Sequence, residues 1–202
     1  MKALHIGCCD TLIDGWINSD NNVACWLSEE DQAKVMFLNA EIKFPFKDNE
    51  LDFIYSEHVI EHLTYNGFKN YISECYRCLK PGGVVRTACP YLDFYIELWL
   101  HPNKYKEFIE KHCKMFHNEL LHDFKGEEIP AMFVLNDNLK MWDHQVMYDK
   151  KTLIKMFSKK FKNIKQCDYQ ESEYKELQGI EHDNKRGHDH NILETIIFEC
   201  KK

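Results

Sequence analysis

Along the first half of the chain, apolar residues gather in short runs that end on glycine or a polar residue, with helically spaced stretches between some of them. Ala3-Leu4-His5-Ile6, closed by Gly7, predicts the first strand. Trp16 to Asp20 predicts a second, tipped by an acid, after roughly eight residues, fewer than a full helical crossover needs. Ala33 to Leu38 predicts the third. Pro45 and Lys47-Asp48-Asn49 break the chain, so that Leu51 to Tyr55 begins cleanly as a fourth strand with Ser56 and Glu57 following where it stops. Val59 to Leu79 carries apolar residues at helical spacing with an interruption at Asn66-Gly67. Pro81-Gly82-Gly83 ends that helix, and Val84 to Ala88 restarts as a fifth strand.

Beyond it, Tyr91 to Asn118 reads as helical and Lys125 to Asp143 as irregular, so that 91–147 forms an insertion suited to a lid or an acceptor pocket. Asp149 caps a helix through Lys160, and two last strands fall near Asn163 to Tyr169 and Thr195 to Cys200. The pattern predicts an α/β chain with a doubly wound, mostly parallel sheet and a helical insertion after the fifth strand. Ligands of such sheets lie beyond the carboxyl ends of the strands, and five such ends carry Gly7, Asp20, Asn39, Ser56 and Cys89-Pro90. His5, inside the first strand, reads as a hydrogen-bonded core histidine.

At 202 residues the chain is expected to be a single domain, 1–202, and 44% hydrophobic with 29% charged residues is a globular composition. Neither a membrane span nor a signal peptide stands out, which predicts a cytoplasmic protein. A net charge of −7 argues against bulk nucleic-acid binding, and Lys159, Lys160, Lys162 and Lys165 read as a solvated helix face and its exit. Nine cysteines without repeating spacing favour free thiols. Cys75 and Cys78 lie within the predicted helix, with no second pair at metal-ligand spacing, and read as packing residues.

The strand, glycine turn and acid-tipped strand, followed by "PFKDNELDFIYSEHVIEHL" and "CLKPGG", resemble class I methyltransferases that use S-adenosylmethionine, over about the first 90 residues. Compact methyltransferases of that class open much like Leu4 to Cys8 followed by Gly15 to Asp20, and Met141-Trp142-Asp143-His144 with Tyr148 is similar to their C-terminal part. The resemblance implies a Rossmann-like methyltransferase fold and S-adenosylmethionine as cofactor. It implies a turn Gly7-Cys8-Cys9 against the methionine part, Asp20 on the ribose hydroxyls, and Asn39 with the Ala40 amide on adenine. Ser56, Glu57 and His58 then face the sulfonium. Cys9 stands where relatives usually have a second glycine, and a β-carbon tolerates positive φ poorly and crowds a ligand there.

Methyl transfer needs alignment and exclusion of water, and a base only for a poorly nucleophilic acceptor. His58 is the first candidate base, Asp143 with His144 the second, and Glu57 can orient the acceptor. The acceptor class that the resemblance hints at is a small molecule or glycan, with Tyr91, Phe94, Tyr95, Trp99 and Trp142 able to line its pocket. No metal is assigned. His58-x-x-Glu61-His62 also fits the H-x-x-E-H pattern of a metal-dependent hydrolase, with both histidines one turn apart on a helix, or of a divalent ion beside the methyl donor. His182, His188, His190, Asp183 and Asp189 read as a solvated loop. Two further alternatives are a non-catalytic cofactor-binding or interaction protein on the same fold and a nicotinamide-dependent oxidoreductase, the latter short of a full G-x-G-x-x-G.

Overall fold

The computed structural model describes residues 1–22, 27–181 and 192–202. Seven strands form one sheet: β1 (Ala3–Ile6), β2 (Ile17–Asp20), β3 (Val35–Phe37), β4 (Leu51–Glu57), β5 (Leu79–Pro90), β6 (Asn163–Cys167) and β7 (Thr195–Lys201). Their order is β3-β2-β1-β4-β5-β7-β6. Pairing is parallel from β3 through β5, whereas β7 runs antiparallel to both β5 and β6. Strand order reverses between β1 and β4, which places the crevice of a doubly wound sheet beyond Ile6 and Glu57.

Short helix α1 (Glu29–Gln32), N-capped by Ser28, leads into β3. After β4 comes a single 3-10 turn, Ile60–His62, and then helix α2 (Tyr65–Cys78). Thr64 caps α2 by accepting a hydrogen bond from the Gly67 amide at 3.0 Å, so Asn66-Gly67 lies inside its first turn and the expected break falls two residues earlier. Phe68, Tyr71, Ile72, Cys75 and Cys78, on one helical face, are buried against the sheet. Pro81 disfavours helical geometry at Lys80, and the chain leaves α2 directly into β5. Helix α7 (Lys150–Phe157), capped by Asp149 through the Thr152 amide, adds Leu153, Met156 and Phe157 to the same core, which Leu4, Ile6, Ile54, Val85 and Phe198 complete from the strands. Each such side chain, fully buried, contributes about 1.5–3 kcal/mol.

The opposite face is covered differently. No helix joins β1 to β2. The connection 7–16 folds back over the sheet, and 168–181 lies beside it, enclosing Tyr55 and Val84 with Leu177, Ile180, Ile13 and Trp16. The short spacing between the first two strands is thus a helix-free crossover. Helices α3 (Leu92–Leu100), α4 (Lys106–Phe116), α5 (Asn118–Asp123) and α6 (Met132–Lys140) build the insertion around a core of their own, with Phe94, Leu98, Phe108, Ile109 and Val134 at its centre. The stretch expected to be irregular, Lys125 to Asp143, contains α6: Val134, Asp137 and Asn138 bury at helical spacing, and that periodicity outweighs Asn136-Asp137-Asn138 as a turn signal. Among the described residues no helix is long and apolar enough to cross a membrane. The five residues from His182 to His190 raised as a metal loop lie outside the described residues.

Candidate active site

The Gly7 turn is built by main-chain bonds. The amides of Gly7 and Cys8 both donate to the Ser19 carbonyl, at 2.8 and 3.0 Å, tying the end of β1 to β2. Gly7 has φ +73°, and a β-carbon there would run into the Val59 side chain, so glycine is required on two grounds. Cys9 does adopt the positive φ expected of the missing glycine, +46°, with its side chain exposed. Burial, with the Asp20 charge beside it, pushes the Cys8 thiol up to about 12, so it is no nucleophile at neutral pH.

Asp20 closes this turn. One carboxylate oxygen accepts from the Cys9 amide and the other from the Asn22 amide, both at 2.9 Å. Each oxygen keeps a second lone pair, which is what a pair of ribose hydroxyls requires. Across the strand end, Asn39 uses its side-chain oxygen to accept from the Glu41 amide at 2.8 Å, leaving its amide nitrogen as a donor, and Ala40 is buried beside it.

Ser56 and Glu57 are the last two residues of β4, two positions beyond the expected end of that strand. Alternation along the strand decides their directions. The Ser56 hydroxyl pairs with Tyr71 at 2.8 Å beneath α2, so its side chain serves the core and only its backbone borders the crevice. Glu57 points to the other face, where Tyr55 donates to it at 3.0 Å. His58 turns the chain away from the sheet with φ +51°, its amide donating to the Ala88 carbonyl.

Beyond this corner, titratable groups converge. His58 Nδ1 lies 3.1 Å from Glu61 Oε1. Burial alone would push the imidazole down, but the bond and charge of Glu61, with Glu57 and Glu194 behind them, outweigh it and hold His58 up at about 9. That favours the protonated form at neutral pH, which has to lose its proton before it can act as a general base. Glu61 is buried, yet His58 holds its carboxyl below the usual range. His62 is pushed down, chiefly by burial. Its ring meets that of His144 edge to face, 4.9 Å between centroids. The amides of Gln145 and Val146 both donate to the Glu61 carbonyl, at 2.7 and 3.1 Å, and so lock the second histidine against the first. Trp142 and Asp143 precede it with consecutive positive φ values, +58° and +59°, a strained turn that presents His144 while leaving Asp143 exposed.

Of the expected residues, the fold thus gathers Gly7, Cys8, Cys9 and Asp20 at one corner, Asn39 and Ala40 beside it, and Glu57, His58 and His144 beyond β4. Asp143 enters through its backbone. The H-x-x-E-H reading is corrected: the segment is a 3-10 turn that His58 precedes, so the two histidines do not share a helical face, and His58 pairs with Glu61 instead. A pair completes the site: Tyr95, which the sequence offered only as a pocket-lining aromatic, and Glu194, which local pattern could not reveal. Glu194 is buried just before β7 and receives the Tyr95 hydroxyl at 2.5 Å, and burial raises its carboxyl above the usual range. Each carries no motif, and 99 residues separate them.

Comparison with known proteins bears on this arrangement. The family described as "Methyltransferase domain" matches residues 5–87, from β1 to the middle of β5. No curated protein sequence matches the chain. Among solved structures, a possible histamine N-methyltransferase of Thermotoga maritima, described as S-adenosylmethionine-dependent, superposes with a TM-score of 0.53 at 14% identity, over 100% of this chain and 82% of that one. A methyltransferase of Archaeoglobus fulgidus, likewise described as dependent on that donor, gives 0.52 at 16%, over 100% and 86%. A phosphoethanolamine N-methyltransferase of Haemonchus contortus, bound to S-adenosylhomocysteine, gives 0.54 at 13%, over 100% and 48%. At such identities the likeness is one of fold.

Proposed function

We propose, for a chain whose residues 5–87 match the methyltransferase-domain family and whose fold is that of S-adenosylmethionine-dependent methyltransferases, that it transfers a methyl group from that donor to an oxygen or nitrogen of a small-molecule or glycan-type acceptor. The observation that carries this reading is the corner itself: a glycine turn at the end of β1 whose third residue donates its amide to the acid at the tip of β2. The residues present fit the donor. Gly7 leaves room for close backbone approach, Asp20 has lone pairs for the ribose, and the Asn39 amide, without a partner among the described residues, can donate to the purine edge.

When bound, the donor supplies a methyl group already activated by a positive sulfur. The chain's own part is alignment and exclusion of water. The insertion, with a core of its own, begins directly after the carboxyl end of β5 and is suited to close on an acceptor. Of the three residues considered for acceptor chemistry, His144 is favoured. Its Nδ1 donates to the Asn138 carbonyl at 2.7 Å, which fixes the ring and turns Nε2 outward. Glu57 and the cationic His58 border the same space. All eight described cysteines are free, which suits a reducing compartment and supports a cytoplasmic location.

Calorimetric titration with S-adenosylhomocysteine tests the donor site. Wild-type protein is expected to bind it, and Asp20→Ala to bind roughly 100-fold more weakly, the worth of two hydrogen bonds to a charged group. Binding of NAD with none of the sulfur compound would overturn the reading. Turnover across a panel of hydroxyl and amine acceptors then separates an enzyme from a binding protein.

A further inference from the structure

We propose that Glu61, His62 and His144 hold a divalent transition-metal ion at the end of β4, its open coordination positions turned to the acceptor. Among the described residues, one ligand atom of each lies within 4.8 Å of those of the other two. Bonds of ~2.1 Å about a tetrahedral ion set ligand atoms about 3.4 Å apart, so a small inward turn of the rings completes the site. Two imidazoles and one carboxylate suit zinc and its neighbours and leave at least one position open, as at catalytic rather than structural sites.

A second observation points to a ligand independently of this spacing. Glu61 is 1% exposed, and while its Oε1 is paired with His58, its Oε2 has no hydrogen-bond partner among the described residues. A buried carboxylate oxygen without a partner is destabilising unless something meets it. The neighbouring groups are arranged as outer-shell supports are around metals. Donation from Nδ1 of His144 to the Asn138 carbonyl aims Nε2 outward, and His58 orients the Glu61 carboxylate from behind. The paired left-handed residues Trp142 and Asp143, with the two amides that grip the Glu61 carbonyl, hold the third ligand in place although 82 residues part it from the second.

The catalytic use of such an ion rests on the methyltransferase reading. An acceptor hydroxyl binding there would release its proton to solvent and attack as the ion-bound alkoxide. The new O–CH3 bond forms as the C–S bond breaks, whose electron pair leaves on S-adenosylhomocysteine. Binding of the ion itself does not depend on that step.

Full-length protein stripped with a chelator and titrated with Zn2+, Mn2+ and Mg2+ in turn decides the matter, with Co2+ as a spectroscopic probe. About one equivalent of Zn2+ is expected, bound more tightly than Mg2+, and Co2+ is expected to give visible ligand-field bands. Glu61→Gln, His62→Ala and His144→Ala should each weaken Zn2+ binding by roughly 100-fold while S-adenosylhomocysteine still binds. That retained binding shows the variants to be folded, and His144→Ala, a change at a half-buried loop residue, guards against loss of the buried glutamate unfolding the chain. Wild-type protein that takes up no ion, or binding unchanged in all three variants, overturns the site. Zinc bound normally by a protein that takes no S-adenosylhomocysteine upholds the site and sinks the donor reading instead.

Discussion

On the face that α2 and α7 cover, the strands send out Leu4, Ile6, Ile54, Val85, Ile196 and Phe198. Alternate positions of the same strands, on the face covered by 7–16 and 168–181, carry His5, Asn18, Tyr55, Glu57, Arg86 and Glu199, all buried. A helix satisfies its own backbone and offers a sheet only side chains. A loop laid over a sheet brings unpaired amides and carbonyls, which must be met from below. Asn18 accepts from the Ile13 amide at 2.9 Å and donates to the Ile13 carbonyl at 3.1 Å. Arg86 donates to the Glu171 carbonyl at 2.9 Å and the Asp168 carbonyl at 3.3 Å, while Glu181 and Glu199 balance its charge. Polarity inside this half of the domain follows from what covers it.

The largest expected effect comes from removing the arginine. Arg86→Ala leaves two carboxylates and two loop carbonyls buried without their donor, and should cost about 3–5 kcal/mol in urea unfolding. Leu4→Ala, on the helix-covered face, removes only packing and should cost about 2–5 kcal/mol. The comparison sharpens with Arg86→Met combined with Glu181→Leu and Glu199→Leu. Were the charges alone at stake, an apolar trio would restore stability; because the loop carbonyls remain unmet, most of the loss should persist. Full recovery would break the argument.

Next is Asn18→Ala, expected to cost about 1–3 kcal/mol through the freed main-chain groups of the crossover. That crossover begins with the Gly7 turn, so the affinity for S-adenosylhomocysteine should fall roughly tenfold, the equivalent of about 1.4 kcal/mol. A variant that binds as the wild type does would show that the turn is held from β2 alone.

The same contrast explains what sequence pattern could and could not show. The apolar runs at Leu4, Ile54 and Val85 and the helical spacing of Phe68 to Cys78 were legible because each buries against a neighbour that imposes a period. The positions of Asp20 and Gly7 were legible because both mark strand ends. Arg86 was not, for a buried arginine looks like any surface charge until Glu181 and Glu199 are known to flank it, 95 and 113 residues away. Ser56 was misdirected by one position's worth of alternation, since the strand runs on to Glu57. His144 was noticed in its own stretch, but its meeting with Glu61 and His62 depends on two amides bonding across the fold. Local period reports burial; long-range polar pairing leaves no local trace.

The helix-covered side contains one place where a loop crosses it, and there the rule can be tested on a small scale. Residues 40–50 pass over α2, and charged side chains appear at once. Glu74 accepts from the Phe44 amide at 2.8 Å, and Arg77 donates to the Phe46 carbonyl at 2.8 Å and the Phe44 carbonyl at 3.1 Å while pairing with Glu74 at 2.6 Å. Burial would raise the Glu74 carboxyl, but the Arg77 bond and then the Phe44 amide outweigh it and hold it below its ordinary 4.5. A carboxyl that binds its proton less readily when folded stabilises the fold above its unfolded pKa and loses that contribution as pH falls through the lowered folded value. Glu74→Gln keeps the shape and removes the charge. It should cost about 1–2 kcal/mol at pH 7, and the gap to the wild type should close as unfolding is followed from pH 5 downwards. A gap that stays constant into acid would mean that the carboxylate's charge contributes nothing and that the loop is held by shape alone.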